Sequence, residues 1–300
     1  MADNGIISIL ADTGPLTGAQ LVERTGMNVF PLWQSCRKNP SIRLFSAARR
    51  FLRLDRTVAG YARLSPSIRR EFLTYTHVGL DSQIDALAAR TEAFRLETKQ
   101  ISQTKQEIAR ECVVSALELL TDRDRILEKA CFLIAGDVVY DMSHTVPRPE
   151  KSTGEMVRGS DLDIVIVAED GLNPEYVRAF DAAFHKRKHR LLVNDREEID
   201  YLIKSMSRVR EQLKFDIFSS MVACKILDES RLLHGNPAVF RDVKDMLVEC
   251  RIPEKLKSLE EQAAASRDLA ENQLLDVRAE GDQSEYYNLF YTHAEEDEIY

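Results

Sequence analysis

The stretch Arg158-Gly-Ser-Asp-Leu-Asp-Ile-Val-Ile-Val167 decides the fold of the middle of the chain. Its β-branched run predicts a strand over residues 161–167. Side chains alternate between the two faces of a strand, so Asp161 and Asp163 are expected to project on the same face. Two like charges beside an apolar run are costly unless a cation lies between them. The pattern therefore predicts a divalent cation, Mg²⁺ or Mn²⁺, which carboxylates, water and phosphates bind well.

Other periodic segments surround this strand and predict a small mixed α/β unit with the order β-loop-β-α-α-β-α. Short apolar runs indicate strands, and apolar residues three and four apart indicate helices. The predicted elements are a strand over 131–135, a helix over 175–187, a helical stripe over 199–213, a strand over 214–218, and a helix from Ser219 to about Gly235.

The predicted third carboxylate is Asp216, on the strand expected over residues 214–218. Asp200 is its rival, but the neighbours of Asp200 follow a helical period, which places it less well. Gly136 and the Gly159-Ser160 pair offer backbone amides to phosphate oxygens, because glycine lets the backbone approach a ligand closely.

These residues resemble the polymerase-beta-type nucleotidyltransferases over about residues 105–240. The resemblance rests on Phe132-Leu-Ile-Ala-Gly136, on Gly159-Ser-Asp-Leu-Asp163 and on Phe215-Asp-Ile217. It implies transfer of a nucleoside monophosphate (NMP) from a nucleoside triphosphate (NTP) to a hydroxyl, with magnesium and release of pyrophosphate. It also implies that Asp161 and Asp163 are catalytic metal ligands and that Asp216 is the third.

The sequence departs from that family at the first phosphate-binding turn. The family usually has Gly-Ser or Gly-Gly there, whereas this chain has Gly136-Asp137. A carboxylate beside a triphosphate repels it unless the carboxylate points away, binds metal or is protonated. The long loop that follows contains Arg148, Lys151 and Arg158, which either reach the triphosphate or are solvated. The predicted nucleotide-binding residues are Gly136, Arg158, Gly159 and Ser160.

The first 80 residues are basic in an otherwise acidic protein. They hold eleven Lys and Arg against five Asp and Glu, while the whole chain of 300 residues has a net charge of −8. Thr17-Gly-Ala-Gln20 predicts a capping box that opens a helix ending at Gly26. A second helix is expected from Asn28 to about Asn39.

A two-stranded wing is expected after these helices, from residues 51–56 and 61–64 around a turn at Gly60. Ser65-Pro66 is expected to begin a further helix. Residues 4–75 thereby resemble the winged helix-turn-helix domains of transcription regulators, although a domain that only packs is the alternative. The resemblance implies nucleic-acid contacts by the basic residues of the second helix and the wing, Arg37, Lys38, Arg53 and Arg56.

The remaining segments complete the predicted domain organisation. Residues 81–129 lack proline and glycine and are expected to be helical, and residues 280–300 carry seven acidic side chains and no Lys or Arg. The expected divisions are 1–80 (winged helix), 81–103 (linker), 104–240 (nucleotidyltransferase), 241–279 (C-terminal helices) and 280–300 (acidic aromatic tail).

Two functions are compatible with this organisation. The first is an NTP- and magnesium-dependent nucleotidyltransferase whose acceptor is RNA, protein, a small molecule or a nucleotide. The second is a DNA-binding regulator whose transferase-like domain senses nucleotide or is inactive, as Gly136-Asp137 suggests. Five scattered cysteines and the lack of a membrane-spanning apolar run indicate a cytoplasmic protein that does not act at a membrane.

Overall fold

The computed structural model describes residues 2–150, 153–277 and 288–290. It is a mixed α/β protein with several small sheets. The chain divides into two compact units, one of residues 1–97 with the described part of 259–300, and one of residues 98–258. The segment predicted as the nucleotidyltransferase domain lies within the second unit. The predicted C-terminal helices over 241–279 divide between the two units, and most of the predicted tail lies outside the described residues.

The first unit is built from short helices and two small antiparallel sheets. Its elements are α1 (Ala2–Thr13), β1 (Leu16–Thr17), α2 (Gly18–Thr25), α3 (Val29–Lys38), β2 (Ile42–Ser46), β3 (Phe51–Leu54), β4 (Ala62–Ser65), α4 (Ile68–Arg70), a π-helical turn (Glu71–Tyr75), β5 (Thr76–Leu80) and a 3-10 turn (Asp81–Gln83).

The predicted signals at the two ends of α2 are confirmed, and the helix start predicted at Ser65-Pro66 is wrong. The Thr17 hydroxyl accepts from the Gln20 amide at 3.2 Å, and the Gln20 side chain accepts from the Thr17 amide at 3.0 Å, which is the capping box. Gly26 ends α2 in the left-handed conformation, with φ 65°. Strands β3 and β4 pair as the predicted hairpin. The helix expected to start at Ser65-Pro66 instead has Ser67 as its N-cap, because the Ser67 hydroxyl accepts from the Arg70 amide.

The first unit contains a three-stranded sheet that the sequence did not predict. The order of its strands is β1-β5-β2, and both pairings are antiparallel.

The core cluster of the first unit combines residues from α1, α2 and α3 with residues near the C-terminus. It includes Leu10, Leu32, Trp33, Ala270 and Phe290.

The second unit contains the four-stranded sheet and the helices around it. Helix α5 (Ile84–Leu117) begins in the first unit and ends in the second, and α11 (Ile252–Asp276) does the reverse. Between them lie α6 (Arg123–Lys129), β6 (Ala130–Ala135), a 3-10 turn (Gly136–Tyr140), β7 (Pro147–Pro149), β8 (Met156–Arg158), β9 (Leu162–Ala168), α7 (Pro174–Asp195), β10 (Ile199–Ser205), α8 (Met206–Gln212), α9 (Phe218–Glu229), β11 (Arg231–Gly235) and α10 (Pro237–Glu249).

The sheet order is β10-β9-β6-β11. Strand β9 runs parallel to β10 and antiparallel to β6, and β6 is antiparallel to β11. The predicted strands over 131–135 and 161–167 and the predicted helix over 175–187 are confirmed as β6, β9 and α7. The buried faces of α5 and α7 pack against the sheet in one core cluster, which includes Val113, Phe132, Ile164 and Phe184.

Three predictions for this unit are wrong. Residues 199–205 form strand β10 rather than the start of a helix, because they pair with β9 along its whole length. Residues 214–218 form no strand, since Phe215 adopts a left-handed conformation with φ 55°, which ends any extended run. Helix α9 ends at Glu229, and residues 231–235 pair with β6 as an edge strand. Within the described residues, no helix is both long and apolar enough to cross a membrane.

Candidate functional site

The site lies where β9 begins, between its two neighbouring strands. Asp161 immediately precedes β9 and Asp163 is its second residue. Asp163 is paired in register with Ala135 of β6 and with Asp200 of β10. Residues paired across adjacent strands project on the same face, and so do residues two apart. The sheet therefore brings three carboxylates, those of Asp161, Asp163 and Asp200, to one edge.

Asp200, rather than Asp216, occupies the neighbouring strand. Asp216 is exposed and lies in the loop between α8 and α9, outside the sheet. The prediction that Asp216 lies on a strand beside the Asp161–Asp163 pair is therefore wrong, and the rival position, Asp200, is the one that the parallel pairing places there.

Partial burial and mutual repulsion both raise the pKa values of Asp161 and Asp163, which are half-buried. Burial, followed by the charges of Asp161, Asp200, Asp137 and Glu229, raises the pKa of Asp163 well above its ordinary value. Burial also raises the pKa of Asp161. The positive charge of Arg148 lowers this pKa, but burial and the negative charges of Asp137 and Asp200 together outweigh it. A cluster that resists ionisation in this way gains from a bound cation.

Two basic side chains contact the outer carboxylates. Arg148 Nη2 lies 3.9 Å from Asp161 Oδ2, and Lys188 Nζ lies 2.9 Å from Asp200 Oδ1. Among the residues that the structure describes, no three His, Cys, Asp or Glu side chains are placed to hold a metal ion as they stand. The donor chemistry nevertheless fits Mg²⁺, since the group consists of carboxylates and includes the half-buried Asp163, whose charge is disfavoured.

Gly136 packs directly against the central carboxylate. It has φ 72°, and a Cβ at this position would lie 2.3 Å from Asp163 Oδ2. Both the left-handed backbone and the close approach exclude a side chain here. The next residue, Asp137, accepts a hydrogen bond from the Ser160 hydroxyl at 3.2 Å, which ties the Gly136-Asp137 turn to the loop before β9.

Backbone groups of residues 158–160 are hydrogen-bonded within the protein. The Ser160 amide donates to the carbonyl of His144 at 3.1 Å, so this amide is engaged within the chain and is not offered to phosphate as predicted. Gly159 has φ 60°, and a Cβ there would lie 1.8 Å from the His144 carbonyl oxygen. The Arg158 side chain is exposed, and its predicted contact with nucleotide remains a prediction.

Two buried cations hold this loop, and sequence reasoning missed both roles. Lys105 Nζ donates to the carbonyls of Arg158 at 2.8 Å and Ser160 at 2.7 Å, and it pairs with Glu197 at 2.6 Å. Arg148 Nε donates to the Gly159 carbonyl at 2.8 Å, and its Nη2 lies 2.7 Å from Glu198 Oε2. Arg148 is thus neither solvated nor directed to a triphosphate.

A signal for Lys105 was present in the sequence. Ser102, Lys105, Ala109 and Cys112 are spaced three and four apart and share the buried face of α5. A lysine at such a position must find buried acceptors, because an unpaired ammonium is costly away from water.

A second polar group adjoins the carboxylates on the α9 side. The Tyr140 hydroxyl donates to Glu229, and Lys225 forms an ion pair with the same carboxylate. The Lys225 ammonium lies 5.4 Å from the centre of the Tyr140 ring. Lys225 therefore neutralises a carboxylate beside Asp163 rather than being the plain surface lysine that its sequence position indicates.

The basic residues proposed to contact nucleic acid lie in the first unit. Lys38 and Arg37 are at the end of α3, Arg53 is on β3, and Arg56 is exposed in the turn that follows. Arg37 Nη2 forms an ion pair with Glu271 of α11 at 3.3 Å.

The C-terminal part of the chain covers the face of α3 that includes Gln34. The Gln34 side chain is 5 % exposed and donates to the carbonyls of Leu274 at 2.5 Å and Val277 at 3.0 Å. The rings of Phe30 and Trp33 lie 5.2 and 5.5 Å from the ring of Phe290. The helix expected to read nucleic acid is therefore engaged by residues of its own chain.

No protein-family model matches the chain, and neither a curated protein nor a solved structure shows significant similarity to it.

Proposed function

We propose that this protein is a metal-dependent nucleotidyltransferase that moves an NMP from an NTP to a hydroxyl acceptor. The observation that carries the proposal is the register of β9 with β10, which pairs Asp163 with Asp200 while Asp161 shares their face. Three carboxylates from adjacent extended segments at one sheet edge suit a cation bound against a triphosphate. The small sheet with helices packed on it is compatible with the architecture of such enzymes.

The residues that would hold Mg²⁺ or Mn²⁺ are Asp161, Asp163 and Asp200. When bound, the cation supplies charge neutralisation for the triphosphate and lowers the pKa of the attacking hydroxyl. Binding replaces the contacts that Asp161 makes with Arg148 and Asp200 makes with Lys188. Gly136 contributes by its lack of a side chain, because a Cβ there would collide with the Asp163 carboxylate.

Within this proposal Asp200, whose side chain is exposed, takes the acceptor side of the reaction. In the proposed step the acceptor oxygen forms a bond to the α-phosphorus, and the bond between the α-phosphorus and the bridging oxygen breaks. Pyrophosphate leaves, and the proton of the acceptor hydroxyl passes to the Asp200 carboxylate. Arg158, exposed at the start of the loop, remains the candidate for contact with the triphosphate.

Matched aspartate variants test the site. The purified protein is incubated with labelled NTPs and Mg²⁺, with pyrophosphate release as the readout and cell extract as the source of acceptor. Asp163→Asn and Asp200→Asn are expected to lower the rate by at least about a hundredfold, because each removes a cation ligand. Asp216→Asn is expected to stay within a few-fold of wild type.

Full activity of Asp163→Asn contradicts the site. Loss of activity in Asp216→Asn with retention in Asp200→Asn restores the assignment that the sequence favoured. Mass spectrometry of the products formed from all four NTPs identifies the acceptor class, whether RNA, protein, small molecule or nucleotide.

One observation favours the second candidate, a DNA-binding regulator. The order α1-β1-α2-α3-β2, closed by β5 in a sheet of order β1-β5-β2, supports a winged-helix interpretation of the first unit. The covering of α3 by α11 and Phe290 opposes it, since Gln34 and Arg37 are already bonded. Salt-sensitive binding of duplex DNA that Arg53→Ala and Arg56→Ala weaken, without NTP turnover, would favour this candidate.

A further inference from the structure

Two buried ion pairs connect the loop of residues 158–160 with the residues that lead into β10. The first pair is Lys105 with Glu197, and the second is Arg148 with Glu198. Each cation donates to backbone carbonyls of the loop and pairs with one of two consecutive glutamates. The loop leads into Asp161 and Asp163, and the glutamates lead into Asp200. The two pairs therefore bridge the segments that carry the three carboxylates.

The Lys105 ammonium is buried and fully hydrogen-bonded. Its side chain is 2 % exposed, and its ammonium has three acceptors at 2.6 to 2.8 Å. An ammonium has three N–H donors, so each is accounted for. Because the carbonyls of Arg158 and Ser160 both point at Lys105, the peptide orientations of the loop are fixed immediately before the catalytic aspartates.

Backbone bonds reinforce the same connection. The Arg158 amide donates to the Arg196 carbonyl at 2.7 Å, and the Leu162 amide donates to the Glu198 carbonyl at 2.9 Å. These two backbone bonds lie on either side of the loop. Between them, Lys105 and Arg148 supply the donors for the loop carbonyls. Without the two cations, the three consecutive carbonyls of residues 158–160 would lose the side-chain donors that satisfy them.

We propose that Lys105 and Arg148 are positioning residues that set the spacing between the Asp161–Asp163 pair and Asp200. The inference rests on the proposed function of this site. Lys105 is the better residue to test, because Arg148 also lies 3.9 Å from Asp161 and its removal changes the charge at the site directly.

The test measures Mn²⁺ binding to the full chain. Electron paramagnetic resonance reports the concentration of free Mn²⁺, from which the affinity follows. The main variant is Lys105→Met/Glu197→Met, which removes the buried pair as a unit. Replacing a buried ion pair by apolar groups of similar size is often tolerated by the fold, whereas removing one partner leaves a buried charge. The control is Lys244→Met, since Lys244 Nζ also donates to two carbonyls, those of Leu227 and Asp228, each at 2.6 Å.

We expect the double variant to bind Mn²⁺ about tenfold more weakly or worse, as loss of outer-shell partners does in metal sites. Its kcat for NMP transfer is expected to fall while the KM for NTP changes little, and Lys244→Met is expected to keep wild-type Mn²⁺ affinity. Wild-type affinity and kcat in a folded double variant overturn the inference while the proposed function stands. So does an equal loss in Lys244→Met.

A second variant keeps the test decisive if the double variant does not fold. Lys105→Arg retains the charge, but a planar guanidinium does not reproduce the three directions of an ammonium. We expect weaker Mn²⁺ affinity in this variant, and unchanged affinity overturns the inference. Wild-type protein that neither binds Mn²⁺ nor transfers NMP overturns both the inference and the proposed function.

Discussion

Gly136 is the residue at which backbone conformation and site chemistry meet. Its φ of 72° and its approach to Asp163 Oδ2 each exclude a side chain. Gly154 has nearly the same conformation, with φ 71°, but nothing lies within 4 Å of its Cβ position. The two glycines thus separate the cost of backbone strain from the cost of crowding the carboxylate.

We predict that Gly136→Ala destabilises the protein more than Gly154→Ala does. The strain common to both is about 1 kcal/mol, and crowding against Asp163 adds about 1–3 kcal/mol. Urea unfolding of the two variants measures the difference. Equal costs would show that the Asp163 carboxylate moves away freely when a methyl group is added.

The raised pKa of Asp163 predicts a pH-dependent stability. In the folded protein this carboxyl keeps its proton above its ordinary pKa of 3.8, so stability falls as the pH rises from that value through the raised pKa. Asp163→Asn is therefore expected to raise the Tm at pH 7.5 in the presence of a chelator. The gain should shrink as the pH falls through the raised pKa towards 3.8, because the folded wild-type carboxyl is then protonated and the carboxyl of the unfolded chain is beginning to be.

Asp170 provides the opposite sign as a control. The Ser207 amide, the Ser207 side chain and Arg210 lower the pKa of this exposed carboxyl, against a small contribution of burial. Asp170→Asn is thus expected to lower the Tm at pH 7.5 and to matter less as the pH falls from the ordinary pKa of 3.8 through the lowered pKa of Asp170. Thermal melts of both variants from about pH 2.5 to 8 test the pair, and parallel shifts would contradict the assignment.

At the scale of elements, local signals predicted some segments well. The Thr17–Gln20 capping box fixed the start of α2, and the run Ile164–Val167 fixed β9, because these signals act within a few residues. Strand β10 was missed because its apolar residues continue into those of α8 with helical spacing. Leu202 of β10 is apolar although it is 43 % exposed, so polar and apolar residues do not alternate clearly along this strand. Its hydrogen bonds come from β9, more than thirty residues earlier.

The error over β10 explains the error over the site. The spacing of apolar residues predicts a helix around Asp200, but this segment is a strand. The sequence also predicts a strand around Asp216, which the left-handed conformation of Phe215 prevents. The Asp161–Asp163 pair was predictable because a period of two lies within one element. The third carboxylate was not, because its position depends on which strands pair. The partners of Lys105 and Arg148 were not predictable for the same reason, since their acceptors are distant in sequence, although the spacing along α5 marks Lys105 as buried.

Helix α11 is held to the first unit by a buried network of charges. Arg267 Nη2 lies 2.8 Å from Glu71 Oε2, and Arg267 Nε lies 2.8 Å from Glu271 Oε1. Arg50 also contacts both carboxylates, at 3.0 Å each. Burial alone would raise the pKa of Glu271. The hydrogen bond and charge of Arg267 outweigh this effect, together with the charges of Arg50 and Arg37, so the pKa is lowered.

We predict that Glu271→Gln destabilises the protein by about 2–3 kcal/mol at neutral pH, because it weakens charge-assisted hydrogen bonds. The exposed Glu260 on the same helix gives the control, and Glu260→Gln is expected to have an effect within about 0.5 kcal/mol. Urea unfolding measures both. A lowered pKa stabilises above the ordinary value, so the difference should be fully present above pH 4.5 and be lost as the pH falls from there through the lowered pKa of Glu271.

At the scale of the whole molecule, the cysteines report on the two units separately. All five are free thiols, of which Cys250 is exposed and Cys36, Cys112, Cys131 and Cys224 are buried. Burial raises the pKa of Cys112 to about 11, of Cys131 to about 12 and of Cys224 to about 11. A buried, protonated thiol reacts slowly, because the thiolate is the nucleophile.

We predict that a chromogenic disulfide reagent modifies one thiol rapidly at pH 8 and the other four only as the protein opens. Cys250→Ser is expected to abolish the rapid phase. Because Cys36 belongs to the first unit and the other three buried thiols to the second, mass spectrometry of the modified sites resolves the opening of each unit. More than one rapid thiol in the wild-type protein would contradict this arrangement.

The core shared by Ile6, Leu10 and Trp33 with Ala270, Leu274 and Phe290 has a consequence for biosynthesis. Residues 1–97 leave the ribosome first, yet their packing partners are translated after the whole second unit. The unit that begins first therefore finishes last, and its apolar surface stays open to chaperones while the central sheet folds. A premature stop or a frameshift that removes Ala270, Leu274 and Phe290 would accordingly damage the unit that contains residues 1–97.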